Sequence, residues 1–126
     1  MEKADILKQL SDLEFDRSEY WVITGGAMVL YGLREKTHDI DLGCTTKLAD
    51  ALEAAGCPVK RKEDGRRHIT FNEDVELLEN WLFDKVETVE GFPVISMQGL
   101  LEMKKHLGRE KDLRDVALIE AAMVEK

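Results

Sequence analysis

The feature that most constrains the fold of this chain is a glycine pair, Gly25-Gly26, directly after a run of aromatic and β-branched residues at 20–24. Such a run is typical of a strand, and residues 27–33 after the glycines have the composition of a short helix. The pattern predicts a strand-to-helix turn in which backbone N–H groups can approach an anion, because glycine has no side chain and helices begin with unpaired N–H groups. A tight turn without a ligand explains the same residues equally simply.

A second constraint is the segment Asp39-Ile40-Asp41-Leu42, which alternates polar and apolar residues as a half-buried strand does. Residues i and i+2 of a strand point to the same side, so the carboxylates of Asp39 and Asp41 would lie together and repel each other. Such hard oxygen ligands suit Mg²⁺, whose coordination is often completed by substrate phosphates. The alternative is a strand face on which both aspartates are simply solvated.

A third acidic residue is predicted on the strand candidate at residues 75–78. Glu76 is the preferred residue, while Asp74 falls on the same side by the two-residue period of a strand and stays open as an alternative. A third carboxylate could complete a two-metal site or act as the base for an attacking hydroxyl.

The remaining segments predict a mixture of helices and strands. Helices are expected at residues 5–15, 47–55, 97–107 and 109–124, a strand at 92–95, and a hairpin with strands 59–62 and 67–71 around Asp64-Gly65. Because these elements mix without strict alternation, an α/β or α+β sheet with helices against it is favoured. A chain of 126 residues predicts one domain, 1–126, with a core at about 20–80 and C-terminal helices at about 96–124.

The charge balance argues against one broad class of partner. There are 18 lysine and arginine residues against 26 aspartate and glutamate residues, a formal net charge of −8. Nucleic-acid affinity depends mainly on neutralising phosphates, so an acidic chain is a poor general nucleic-acid binder. One dense basic cluster, which two solvated hairpin strands or a surface for a polyanionic substrate would explain, consists of Lys60, Arg61, Lys62, Arg66 and Arg67.

The cysteines and the apolar segments bear on location. Cys44 and Cys57 have no metal-type spacing, which predicts buried free thiols. The first residues lack the features of a signal peptide, and no apolar run reaches membrane-spanning length. We therefore expect a cytoplasmic protein without membrane association.

With these residues identified, the sequence resembles the DNA polymerase beta-like nucleotidyltransferase superfamily. The resemblance rests on Gly25-Gly26, an interval of twelve residues and then Asp39-Ile40-Asp41, with the glycine, arginine and threonine of residues 32–37 before the aspartates. Residues 91–104 and 108–115 are similar to the tail of abortive-infection-type toxin nucleotidyltransferases. The resemblance covers about residues 20–120 of the chain.

The resemblance implies a nucleotidyltransferase fold, a small mixed β-sheet flanked by helices in one minimal domain. It implies an enzyme that transfers a nucleoside monophosphate from a nucleoside triphosphate to a hydroxyl and releases pyrophosphate, with Mg²⁺, or alternatively Mn²⁺, as cofactor. The implied catalytic and metal-binding residues are Asp39, Asp41 and Glu76. The implied nucleotide-binding residues are Thr24, Gly25, Gly26, Arg34 and Lys104.

Two of these residues carry alternatives. The third acid of the superfamily is more often aspartate, and the extra methylene of Glu76 would shift its carboxylate. Lys104 has a plainer explanation as a solvated helical lysine, with the acidic residues that follow it as surface partners. His38 is predicted to point away from the carboxylates, because it alternates with Asp39.

The acceptor stays open among a small molecule, a protein hydroxyl and a tRNA, although the acidic balance weighs against RNA. An acceptor that needs a large second half-site would require a homodimer. The alternative function is a catalytically weak or inactive binding module, such as a toxin–antitoxin component. A purely structural domain with solvated aspartates is a third hypothesis.

Overall fold

The computed structural model describes residues 1–124 of the chain. The helices are α1 (Lys3–Asp12), α2 (Thr24–Leu30), α3 (Thr46–Ala54), α4 (Met97–Leu107) and α5 (Glu110–Val124). The strands are β1 (Tyr20–Ile23), β2 (Ile40–Cys44), β3 (Val59–Arg61), β4 (Arg67–Thr70), β5 (Val75–Glu79), β6 (Val86–Val89) and β7 (Phe92–Ile95). None of the helices within residues 1–124 is both long and apolar enough to cross a membrane.

The strands form one seven-stranded mixed sheet with the order β3-β4-β5-β2-β1-β7-β6. β2 pairs with β5 and β1 with β7 in parallel, while the other neighbouring strands are antiparallel. The predicted α+β class and mixed sheet are therefore confirmed. The register places Asp41 of β2 beside Glu76 of β5 and opposite Ile23, the last residue of β1.

Burial follows the position of each strand in the sheet. β1 and β7 are buried along their whole length, and α2 packs against β1 and β2. α3 packs against β4 and β5, so one face of that edge of the sheet is covered by a helix. The end of β1 lies beside the beginnings of β2 and β5, so the residues at this end of the three central strands are brought together.

The predicted ends of α4 are confirmed by specific contacts. The side chain of Ser96 accepts a hydrogen bond of 3.0 Å from the backbone N–H of Gly99, as an N-cap residue does. Gly108 ends the helix with φ of 62°, the left-handed conformation that glycine adopts without steric cost.

The structure differs from the sequence prediction at several elements. α1 ends at Asp12, before the predicted residue 15, and the glycine pair lies inside the first turn of α2 rather than before the helix. Strand β6 was not predicted, because it is an exposed edge strand without alternating burial. The sheet also extends beyond the expected core at 20–80, since β6 and β7 belong to it.

Candidate active site

Three carboxylates meet where β2 begins beside β5. Asp39 directly precedes β2, Asp41 lies within it, and Glu76 is the parallel partner of Asp41 on β5. One oxygen from each side chain can be chosen so that all lie within 4.8 Å of one another. Asp39 is exposed, whereas Asp41 and Glu76 are half-buried. The structure therefore brings together the three acids predicted from the sequence.

The alternative third acid, Asp74, lies elsewhere. Its carboxylate accepts a hydrogen bond of 3.0 Å from Nε2 of Gln9 on α1, and it lines a different surface depression together with that helix. β5 begins only at Val75, so the alternation that would align Asp74 with Glu76 does not extend to it.

The three carboxylates form a site of concentrated negative charge. Burial raises the pKa of Asp41 above its usual range, the neighbouring charges of Asp39 and Glu76 raise it further, and the hydroxyl of Thr24 partly opposes the shift. Within residues 1–124, no lysine or arginine forms a salt bridge with any of these acids. Carboxylate oxygens at this spacing, without a lysine or arginine partner, are suited to a hard divalent cation such as Mg²⁺ or Mn²⁺.

Thr24 links the carboxylates to the glycine turn. Its hydroxyl donates a hydrogen bond of 3.0 Å to Oδ2 of Asp41, and its φ is 50° although it is β-branched. A β-branched residue rarely adopts this conformation, and such strain is typical of functional turns. The turn thereby fixes one oxygen of Asp41.

Close packing explains both glycines of the turn. A Cβ atom on Gly25 would collide with Oγ1 of Thr37 and approach a guanidinium nitrogen of Arg34 to 3.3 Å. A Cβ atom on Gly26 would lie 3.1 Å from the side chain of Val22. Gly25 thus lets the segment between α2 and β2 pack against the first turn of the helix, and Gly26 lets Val22 of β1 do so.

A pocket of about 330 Å³ opens beside the carboxylates. Its basic lining residues are Arg34, Lys104, Arg109 and Lys111. The other lining residues are Thr24, Gly25, Thr37, His38, Asp39, Asp41 and Asp115. We call it the cationic pocket. His38, predicted to point away from the carboxylates, is among the lining residues of this pocket.

Lys104 is not a solvated helical lysine. Its side chain is 5% exposed, and its ammonium lies 3.3 Å from Asp112 and 3.0 Å from Asp115 of α5. Arg34 contacts both oxygens of Asp115 at 2.7 Å, and Arg109 contacts Asp112 at 2.6 Å. These pairs hold three cations at one wall of the pocket.

Its cationic partners favour the ionised form of Asp112 in this wall. Burial acts to raise the pKa of Asp112, but its hydrogen bond from Arg109 and the charge of Lys104 hold that pKa below its usual range. Asp112 and Asp115 were considered only as surface partners, because sequence spacing cannot distinguish an exposed ion pair from a buried one. Thr37 was missed as a packing partner of Gly25, although it stands in the motif before Asp39.

The comparison with solved structures agrees with this architecture, whereas the comparisons with family models and with curated proteins found no match. The crystal structure of the lincosamide antibiotic adenylyltransferase LnuA with lincomycin bound is similar, with a TM-score of 0.57 and 20% identity over 92% of this chain and 95% of that chain.

Two further solved structures are similar to the chain. TM1012 of Thermotoga maritima, described as a nucleotidyltransferase, gives a TM-score of 0.56 and 14% identity over 98% of this chain and 91% of that one. ANT(2″)-Ia in complex with adenylyl-2″-tobramycin gives 0.53 and 17% over 95% of this chain and 86% of that one. The chain therefore has the fold of these nucleotidyltransferases.

Proposed function

We propose that this protein is a metal-dependent nucleotidyltransferase that transfers a nucleoside monophosphate from a nucleoside triphosphate to a hydroxyl acceptor. The observation that carries the proposal is the cluster of Asp39, Asp41 and Glu76, which lacks a lysine or arginine partner within residues 1–124 and borders a pocket lined by cations. The shared fold with nucleotidyltransferases supports the reaction class.

The triphosphate would bind in the cationic pocket. Backbone N–H groups at the start of α2 lie beside the pocket, where helix polarity favours an anion. Arg34 and Lys104 supply two cations at this pocket, and Asp115 contacts both of them. The side chain of Arg34 is 34% exposed and can exchange its carboxylate partner for a phosphate.

The carboxylates would hold Mg²⁺ or Mn²⁺. A divalent cation bound there supplies positive charge that neutralises the reacting phosphates. In the transfer itself, the acceptor oxygen bonds to the α-phosphorus as the bond to pyrophosphate breaks. We assign to Glu76 the acceptance of the hydroxyl proton, because it is the acid furthest along the sheet from the cationic pocket and does not line it.

The acceptor, the preferred base and any homodimer or toxin–antitoxin partner stay predictions from the sequence. A catalytically inactive nucleotide-binding module is the competing function. One observation favours it: Glu76 is already hydrogen-bonded at 3.1 Å to His68, which restrains the longer carboxylate before any substrate binds.

A thermal-shift and pyrophosphate-release experiment tests the proposal. Wild type is measured with each nucleoside triphosphate, with and without Mg²⁺ or Mn²⁺, beside Asp41→Ala. A ligand present at a hundredfold excess over its Kd stabilises the native state by about 2.7 kcal/mol. We expect a metal-dependent shift and pyrophosphate release, both absent in Asp41→Ala. A shift without sustained pyrophosphate release would instead support the inactive binding module, and no shift with any nucleotide would refute both.

A further inference from the structure

A second groove, of about 290 Å³, borders Glu76 and shares no lining residue with the cationic pocket. Its lining residues are Pro58, Val59, Lys60, His68, Thr70 and Glu76. We call it the β3–β4 groove. It lies on the strands furthest along the sheet from β1, so the carboxylate cluster separates two distinct cavities.

The sheet register places the polar residues of this groove on one face. Lys60 of β3 is directly opposite His68 of β4, and Thr70 of β4 is opposite Glu76 of β5. His68 and Thr70 are two residues apart, so they point to the same side of the strand. α3 packs against β4 and β5 and receives the alternate residues, Arg67 among them. The groove is therefore the open face of the sheet, continuous with the carboxylates.

The partners of the residues in the basic cluster indicate which of its cations can contact a ligand in the groove. Three of its arginines are paired: Arg61 with Glu53 at 3.3 Å, Arg66 with Asp64 at 3.5 Å and Arg67 with Glu79 at 2.7 Å. The ammonium of Lys62 lies 4.7 Å from the centre of the Trp81 ring.

Lys60 differs from the three arginines of the cluster. It is exposed, it lines the groove, and it forms no salt bridge with any residue of the described chain, 1–124. Lys60 and Lys62 are thus the two members of the cluster without a carboxylate partner among residues 1–124, and of these two only Lys60 lines the groove that borders Glu76.

Aliphatic and imidazole groups complete the groove. Pro58 and Val59 provide apolar surface, and Thr70 provides a hydroxyl. Nε2 of His68 lies 3.1 Å from Oε2 of Glu76, so one end of the groove terminates at a carboxylate held in a fixed orientation. A ligand lying here would have one end at Lys60 and the other at Glu76.

We propose that the β3–β4 groove binds the acceptor, and that the acceptor is a small hydroxyl compound with an anionic group that contacts Lys60 while its hydroxyl faces Glu76. This inference rests on the proposed nucleotidyl transfer. It excludes polycationic acceptors, because their ammonium groups would meet Lys60. It also gives the basic cluster a specific role that does not require a polymeric polyanion.

The test uses amide chemical shifts of the full chain with the nucleotide site occupied. The protein is saturated with Mg²⁺ and an α,β-methylene nucleoside triphosphate, then titrated with glycerol 3-phosphate or with glycerol. We expect saturable shifts at Lys60, His68 and Thr70 with glycerol 3-phosphate only. Lys60→Glu should weaken that binding about tenfold or more, since it removes a charged contact and adds a repulsive one.

A matched charge reversal, Lys85→Glu on the opposite edge of the sheet, controls for the change in net charge and should leave the titration unchanged. Tobramycin, which carries several ammonium groups, should shift the groove residues only in Lys60→Glu. Equal shifts with glycerol and glycerol 3-phosphate, or none at the groove, would overturn the acceptor proposal while the analogue shifts at Gly25 remain. Absence of the analogue shifts themselves would instead count against the proposed function.

Discussion

Glu76 and Glu79 lie three residues apart on β5 and face opposite sides of the sheet. Glu79 is buried, and its carboxylate receives hydrogen bonds from Arg67 at 3.0 Å and 2.7 Å. Glu76 is half-buried beside Asp39 and Asp41, with no arginine or lysine partner within residues 1–124. One strand thus carries an acid neutralised by the fold and an acid placed among other acids.

The difference separates a charge that is paired within the fold from the charges for which we propose a function. Arg67 also contacts Asp50 and Glu53 of α3, so its pairs tie the helix to the sheet. The cluster at Glu76 ties no elements together by opposite charges, and the repulsion within it is a cost to stability. A chain that tolerates such a cost next to a cationic pocket is expected to recover it through a ligand.

The largest expected effect is a loss of activity when the acid cluster that contains Glu76 is changed. Asp41→Asn should lower the rate of pyrophosphate release about 10³-fold or more, because it removes a ligand to the charge that stabilises the reacting phosphates. Glu79→Gln should retain most of the activity at a temperature where it is folded. Steady-state rates of both variants, with circular dichroism as the folding control, measure this. Equal losses of activity in Asp41→Asn and Glu79→Gln would mean that the acid cluster and Glu79 do not differ in their role in activity.

The second prediction concerns stability at the Glu79 side. Arg67→Ala leaves three carboxylates without their shared cation and should lower the free energy of unfolding by about 3–5 kcal/mol. That corresponds to a fall in Tm of roughly 10–20 °C for a domain of this size. Arg66→Ala, whose side chain is 44% exposed, is the matched control. Urea unfolding of both measures the effect, and a loss at Arg67 no larger than at Arg66 would contradict it.

The contrast also explains how far sequence alone could predict this molecule. The two-residue period placed Asp39 and Asp41 together, and the run of residues 75–78 offered Glu76, because strand geometry is local. The pairing of β2 with β5 is not local, so the proximity of Glu76 to Asp41, and the exclusion of Asp74, required the register.

The cationic pocket was harder to predict from the sequence. Lys104 follows a helical pattern that fits a solvated residue equally well, and its burial depends on how α5 packs against α4. The strained backbone conformation of Thr24 could not be predicted for a similar reason, because the turn imposes it and threonine does not favour it. Edge strand β6 lacks an alternating pattern because little of it is buried.

The third prediction is a loss of stability at acidic pH that arises from Glu79. The hydrogen bonds from Arg67 lower the pKa of Glu79 from 4.5 to about 2. Because the folded pKa is the lower one, this stabilisation is full above about pH 4.5 and is lost as the pH falls towards 2. The stability difference between wild type and Glu79→Gln should therefore shrink on acidification. Urea unfolding of both variants across this range measures it, with Glu120→Gln as an exposed control; a constant difference would contradict it.

The smallest expected effect is a gain in stability when one charge is removed from the acid cluster that contains Glu76. In the absence of metal, Asp41→Asn should raise the free energy of unfolding by about 1 kcal/mol, because it removes one charge from a cluster of three acids. The amide oxygen can still accept the hydrogen bond from Thr24, so the turn is retained. Adding Mg²⁺ should stabilise wild type and leave the variant unchanged, which reverses their order. Unfolding in EDTA and in Mg²⁺ measures both arms. A destabilised variant in EDTA would mean that the carboxylate of Asp41 stabilises the fold, as that of Glu79 does. The acid cluster at Glu76 and the paired acid Glu79 would then both be structural and would differ only in how much they stabilise the protein.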